Sequence, residues 1–138
     1  MAWSDQETID AAARSLGAIG EKDFALGAAT TYRVGGPAAI GVKAATERDL
    51  LRAADVSNIF DLDILVLGRG SNLLISDKGF EGIVVILSEQ FGEITINGLD
   101  VAAGGAAPLP VLARKTVNEK LSGLEWMVAQ GADQNDWV

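Results

Sequence analysis

The sequence contains no cysteine and no histidine. The first absence removes disulfides, thiolate nucleophiles and thiolate metal sites. The second removes the commonest general base and the commonest zinc ligand, so a Ser-His-Asp triad cannot be assembled within this chain. No apolar run approaches the roughly 20 residues that a membrane-spanning helix needs. The first ten residues are acidic and polar, unlike a secretory signal, so a cytoplasmic protein is the expectation. Basic residues are also scarce: 11 Lys and Arg against 19 Asp and Glu leave a net charge of −8. An acidic chain without a basic cluster is a poor match for a phosphate backbone, and no nucleic acid is expected as a partner.

What is present is a chain of 138 residues, 49% apolar and 22% charged. That composition belongs to a folded protein of one domain or two small lobes. Residues 4–16 read as an amphipathic helix with Ser4 as its cap, Glu7 three residues on, and Ile9, Ala12, Ala13 and Leu16 on one face. Residues 29–34 are rich in strand formers, Gly35-Gly36-Pro37 is a turn signal, and residues 38–43 resume as a strand, so the spacing predicts a hairpin. Thr46 reads as the cap of a helix over 47–56, with Asp49 in the reciprocal position. Residues 64–67 then read as a buried strand. Strand, helix and strand make a βαβ unit, which implies parallel pairing. Residues 83–87 are a further apolar strand. Two short strands flank Asn97-Gly98, and Pro108–Lys120 reads as a helix with both prolines in its first turn.

The segment Gly68-Arg69-Gly70-Ser71-Asn72 leaves an apolar strand directly. Two glycines permit positive φ and close approach to the main chain. Successive N–H groups in such a turn can converge on an anion, with Ser71, Asn72 and Arg69 adding donors. An ordinary turn between strands is the competing reading. Leu73 stands where the dinucleotide fingerprint requires its third glycine, and no Gly-Lys-Ser/Thr follows. Three further candidates stay open. Arg33, beside the glycine turn, either seats a phosphate or is solvated. Gly104-Gly105 either admits a flat ring or turns the chain. Glu125, among apolar residues, is either a perturbed acid or a helix-end charge reaching water.

The stretches 30–38 (TTYRVGGPA), 65–87 (LVLGRGSNLLISDKGFEGIVVIL), 101–113 (VAAGGAAPLPVLA) and 121–128 (LSGLEWMV) resemble, in order, the N-terminal part of the UDP-N-acetylenolpyruvoylglucosamine reductases, the MurB flavoenzymes. The resemblance implies an α+β, FAD-binding fold of the PCMH/VAO type, in which two lobes clasp the cofactor. It implies a cofactor loop of Leu67, Gly68, Arg69, Gly70, Ser71, Asn72 and Leu73, with Gly104 near the flavin from the second lobe. Residues 1–23 would be an N-terminal helix and linker, 24–88 a first lobe containing the βαβ unit, 89–128 a partial second lobe, and 129–138 a divergent tail. The family reduces the enolpyruvyl ether of UDP-N-acetylglucosamine enolpyruvate with NADPH, in peptidoglycan synthesis, which supports cell wall biogenesis and cell shape. Its catalytic arginine, serine and glutamate correspond to nothing here, because Ala129-Gln130-Gly131-Ala132-Asp133 departs from the family pattern. No catalytic residue and no metal ligand is therefore assigned. A partial flavin-binding module without turnover is the expectation. A non-catalytic oligomerisation module, self-associating through an open sheet edge, is the alternative.

Overall fold

Asp5 caps the first helix in place of Ser4. The Asp5 carboxylate accepts the Thr8 N–H at 3.0 Å, and helix α1 runs Gln6–Leu16. Ser4 instead donates its hydroxyl to Glu81 at 2.8 Å, which ties the chain start to a strand 77 residues away. The computed structural model describes residues 3–126, and these fall into two compact units that divide between Ser88 and Glu89. The last residues of the stretch at 121–128 and the tail at 129–138 lie outside the described residues.

The first unit holds α1, β1 (Gly20–Phe24), β2 (Ala38–Ala44), α2 (Glu47–Phe60), β3 (Ile64–Leu67) and β4 (Phe80–Leu87). The sheet order is β1-β2-β4-β3, with β1 antiparallel to β2 and the other pairs parallel. Two sequence expectations are corrected here. The hairpin of 29–34 with 38–43 does not form. Residues 27–29 make a single 3-10 turn, Arg33 has φ +53, and β2 pairs with β1 instead. Strand propensity at Thr30, Thr31 and Tyr32 yields to tertiary context, because Gly27 packs directly on the carbonyl of Gly35 and closes 27–35 into a loop. Strand β1 carries Glu21, Lys22 and Asp23, a charged edge that leaves no apolar alternation to read.

The second correction concerns the βαβ unit. Strands β2 and β3 are parallel, but β4 lies between them, so α2 crosses over a strand not yet made. As a result β3 is an edge strand with an exposed face, and not the buried strand that its apolar run implies. Helix α2 also extends four residues beyond the expected end, to Phe60.

Alternation places the core. Val84 lies in a cluster with Phe24, Leu26, Ala38, Leu67 and Ile75, supported by Leu65, Leu73, Phe80 and Ile86. Its neighbours Ile83 and Val85 point to the other face and are fully buried, as are Ile40 and Val42 opposite them. Helices α1 and α2 pack on each other and on the sheet, with α2 against β2 and β4, and they supply that cover. Burying each such side chain contributes about 1.5–3 kcal/mol. The second face is covered by loops: the chain between β1 and β2, and the chain between β3 and β4.

The start of α2 gives the first prediction. The Asp49 carboxylate accepts the N–H groups of Ala45 (2.9 Å) and Thr46 (3.0 Å), while Thr46 Oγ1 accepts the Asp49 N–H. These bonds, Ala45 first, hold the Asp49 pKa below its ordinary 3.8. A depressed carboxylate stabilises the fold above its unfolded pKa and loses that contribution as pH falls through its folded one. The melting temperature is expected to decline on acidification below 3.8, and Asp49→Asn to show a smaller decline. An equal acid limb in both proteins, followed by circular dichroism, overturns this role for Asp49.

The second unit contains β5 (Ile94–Asn97), β6 (Asp100–Ala103) and α3 (Leu109–Asn118). The hairpin forms where the sequence predicts it. Its loop residues are Gly98, at φ +63, and Leu99, the primed-turn pattern that suits strand twist. Pro108 is the cap of α3 and Pro110 lies in its first turn, as their missing N–H groups require. Lys115 Nζ donates to the Ile94 carbonyl at 3.1 Å and pins the helix to the hairpin.

Candidate functional site

Two loops on one face of the first unit dock backbone against backbone. One connects β1 to β2 and carries Tyr32, Arg33, Gly35 and Gly36. The other connects β3 to β4 and carries the glycine loop. At one end the Thr31 N–H donates to the Gly70 carbonyl at 3.2 Å. At the other, Gly36 N–H donates to the Ser76 carbonyl at 2.9 Å and Phe80 N–H to the Pro37 carbonyl at 2.9 Å. Only glycine permits this approach. A Cβ at Gly35 (φ +107) would fall on the Ile75 carbonyl, and one at Gly79 (φ +79) on the Pro37 carbonyl. The sequence presents the 32–37 and 68–72 segments as separate candidates; the fold makes them one surface.

Leu67 is buried at the end of β3 and Leu73 packs against the core, so the strand anchors one end of the loop and the core holds the other. Between them Gly70 adopts φ +68, and a Cβ there would lie 3.1 Å from the Ala29 carbonyl oxygen and 3.3 Å from Thr30 Cα. The missing side chain of Gly70 thus faces the neighbouring loop. Among the described residues, the N–H groups of Arg69, Gly70, Ser71 and Asn72 donate to no acceptor of the chain. Consecutive free amides around a left-handed glycine are an anion-binding arrangement. Arg69 and Arg33 are both exposed, and neither joins an ion pair among the described residues. Exposed Tyr32, Val34 and Leu74 put apolar surface on the same pair of loops. Free amides, two uncompensated cations and a ring together suit a ligand with a phosphate and a flat or apolar part.

Sequence reasoning missed Thr31 and Ser76, whose main-chain groups clasp the loops together. The available signal was the spacing of Gly35-Gly36-Pro37 and Gly79, glycines too many for a plain hairpin.

The other candidates lie in the second unit. Gly104 donates its N–H to the Glu93 carbonyl at 2.9 Å, and a Cβ there would fall on the Phe91 carbonyl. The turn between β6 and α3 therefore requires glycine for its own packing. Glu125 is exposed, and its pKa is lowered by its own backbone N–H and by that of Gly123, which donates at 2.7 Å. A carboxylic acid with raised pKa is not formed there, so Glu125 takes the role of a solvated charge. An open groove of about 690 Å³ runs between β6 and α3, lined by Leu99, Val101, Leu112 and Leu121 among others. Its lining is mostly apolar, with Lys120 as the one charged side chain and Thr116 and Ser122 as the hydroxyl-bearing ones. No group of three or more metal-ligating side chains, and no helix long and apolar enough to cross a membrane, exists among the described residues.

No protein-family model matches the chain. It is 38% identical over 100 residues to UDP-N-acetylenolpyruvoylglucosamine reductase 2 of Symbiobacterium thermophilum, covering 72% of this chain and 32% of that protein. It is 40% identical over 108 residues to the UDP-N-acetylenolpyruvoylglucosamine reductase of Caulobacter sp. K31, covering 75% and 34%. Among solved structures, the reductase MurB of Thermus caldophilus matches with a TM-score of 0.59 and 32% identity, over 79% of this chain and 36% of that one. The structure of p-cresol methylhydroxylase matches with a TM-score of 0.56 at 11% identity, over 84% and 26%, a likeness of fold alone. The chain thus spans about a third of the length of the relatives it matches.

Proposed function

We propose that this chain, homologous over most of its length to a third of the UDP-N-acetylenolpyruvoylglucosamine reductases, is the FAD-holding part of such a reductase. The observation that carries the reading is the run of free amides at Arg69–Asn72 in a loop fixed at both ends. FAD fits these residues chemically. Its diphosphate needs donors and positive charge, which the amides, the Ser71 hydroxyl, the Asn72 amide and Arg69 provide. Leu67, Gly68 and Leu73 hold the loop in place, and Gly104 belongs to the same set of residues by family resemblance. When bound, FAD would supply hydride transfer from NADPH to the enolpyruvyl ether of the UDP-sugar. The chain's own part is to bind and orient: docking of 27–37 on 68–79 fixes the amides before the ligand arrives, so little ordering cost falls on binding.

In this reading residues 24–88 form the first lobe, 89–128 part of a second, and 1–23 and 129–138 the flanking segments. Turnover needs the catalytic residues of the remaining two thirds, and the isolated chain is an oxidoreductase component without turnover of its own. A cytoplasmic setting follows from that role in cell-wall precursor synthesis.

The test is a titration of the purified chain with FAD. Flavin fluorescence is expected to change saturably, and FAD at roughly ten times its dissociation constant to stabilise the fold by about 1.4 kcal/mol, read as a higher melting temperature. Absence of both responses overturns the cofactor assignment.

A further inference from the structure

The two edges of the first unit's sheet differ in kind. Edge β1 exposes Glu21, Lys22 and Asp23, charges that discourage pairing with another strand. Edge β3 is Ile64-Leu65-Val66-Leu67, without a charge, a proline or a bulge. Ile64 is 41% exposed and Val66 54%. The Ile83 N–H donates to the Asp63 carbonyl at 2.8 Å, so in this parallel ladder the odd-numbered residues bond β4. The N–H and C=O groups of Ile64 and Val66 therefore face the open side, and among the described residues nothing pairs with them.

We propose that β3 is the dimerisation edge of this chain and that its occupant is the β3 of a second copy, antiparallel about a twofold axis midway between the two Leu65 residues. In that register Ile64 stands opposite Val66 of the other copy, twice. The four free N–H and C=O pairs then close into four hydrogen bonds, with no free edge group left over on either strand. Opposed residues share a face, so the exposed side chains of Ile64 and Val66 cover one another. The flanking charges select both the partner and its direction. Asp61 and Asp63 precede the strand and Arg69 follows it. Antiparallel pairing sets Asp63 diagonal to Arg69 of the second copy, at both ends. A parallel arrangement would set each aspartate beside its own counterpart, like charge on like. The result is an eight-stranded sheet whose outer edges are the two charged β1 strands.

The test uses the full chain without added flavin, so its outcome is independent of the cofactor reading. Sedimentation at increasing concentration is expected to show a monomer–dimer equilibrium. Val66→Lys places a charge on the open edge and should raise the dissociation constant at least roughly tenfold. Asp63→Arg should weaken the dimer, and adding Arg69→Asp should restore it. Amide exchange on the wild type avoids reliance on any variant. The Ile64 and Val66 N–H groups should gain protection as concentration rises, while Leu65 is protected at all concentrations. A protein that stays monomeric, a dimer unaffected by Val66→Lys, or exchange at Ile64 and Val66 that ignores concentration each overturns the proposal.

Discussion

Gly70→Val is expected to cost the chain its affinity for FAD, with a dissociation constant raised by roughly a hundredfold, about 3 kcal/mol. The cause is indirect. At φ +68 a branched residue is strained by about 1–3 kcal/mol, and its Cβ meets the Ala29 carbonyl and Thr30 on the neighbouring loop. Relief requires the glycine loop to move off that neighbour, which breaks the Thr31–Gly70 hydrogen bond and turns the amides of Arg69–Asn72. Each hydrogen bond to a charged group is worth about 1.5–3 kcal/mol, so misaiming one or two accounts for the loss. Gly98→Ala is the control. Gly98 has φ +63 with nothing within 4 Å of its absent Cβ, so strain acts there without a clash, and FAD affinity should stay as in the wild type. Fluorescence titration of both variants, with far-UV dichroism to confirm folding, decides the matter. A Gly70→Val protein that binds FAD as tightly as the wild type would remove this loop from the site.

Gly35→Ala should produce a large loss of stability for a single added methyl, about 3–5 kcal/mol. At φ +107 the backbone is outside the left-handed helical region that asparagine or aspartate tolerates, and the added carbon would fall on the Ile75 carbonyl, with the Ile75 Cβ 2.6 Å away. Both neighbours belong to a segment anchored in the core, so neither gives way cheaply. The loops must part, which forfeits the Gly36–Ser76 hydrogen bond and opens the cover over Leu26, Ile75 and Val84. Against a total stability of about 5–15 kcal/mol for a domain of this size, such a loss is roughly a fifth of the whole at the least. Urea denaturation of Gly35→Ala beside Gly98→Ala separates clash from strain, since the latter should cost only about 1–2 kcal/mol. Equal midpoints for the two variants would mean that the loops are not closely docked.

The glycine loop and its companion were legible in unequal degree. Arg69, Gly70, Ser71 and Asn72 announce themselves because a strand of four apolar residues delivers the chain into two glycines and three donors. The loop at 27–37 does not, because Thr30, Thr31 and Tyr32 are good strand formers and only the contact of Gly27 with Gly35 overrules them. Helix α2 was legible through its Thr46 and Asp49 cap, and the β5–β6 hairpin through Asn97-Gly98. Strand β1 was not, because an edge strand that protects itself with charge carries no apolar period.

Local chemistry therefore settles by itself where α2 starts, that a tight turn joins β5 to β6, that this chain contributes no thiol or imidazole, and that a donor-rich loop follows β3. Those features depend on residues within a few positions of one another, whose propensities and hydrogen bonds act at short range. Strand order, the exposure of β3 and the meeting of two glycine-bearing loops were decided only in three dimensions. Each depends on β4 inserting between β2 and β3, a pairing between segments far apart in the chain, and apolar runs alone do not specify which neighbour buries them.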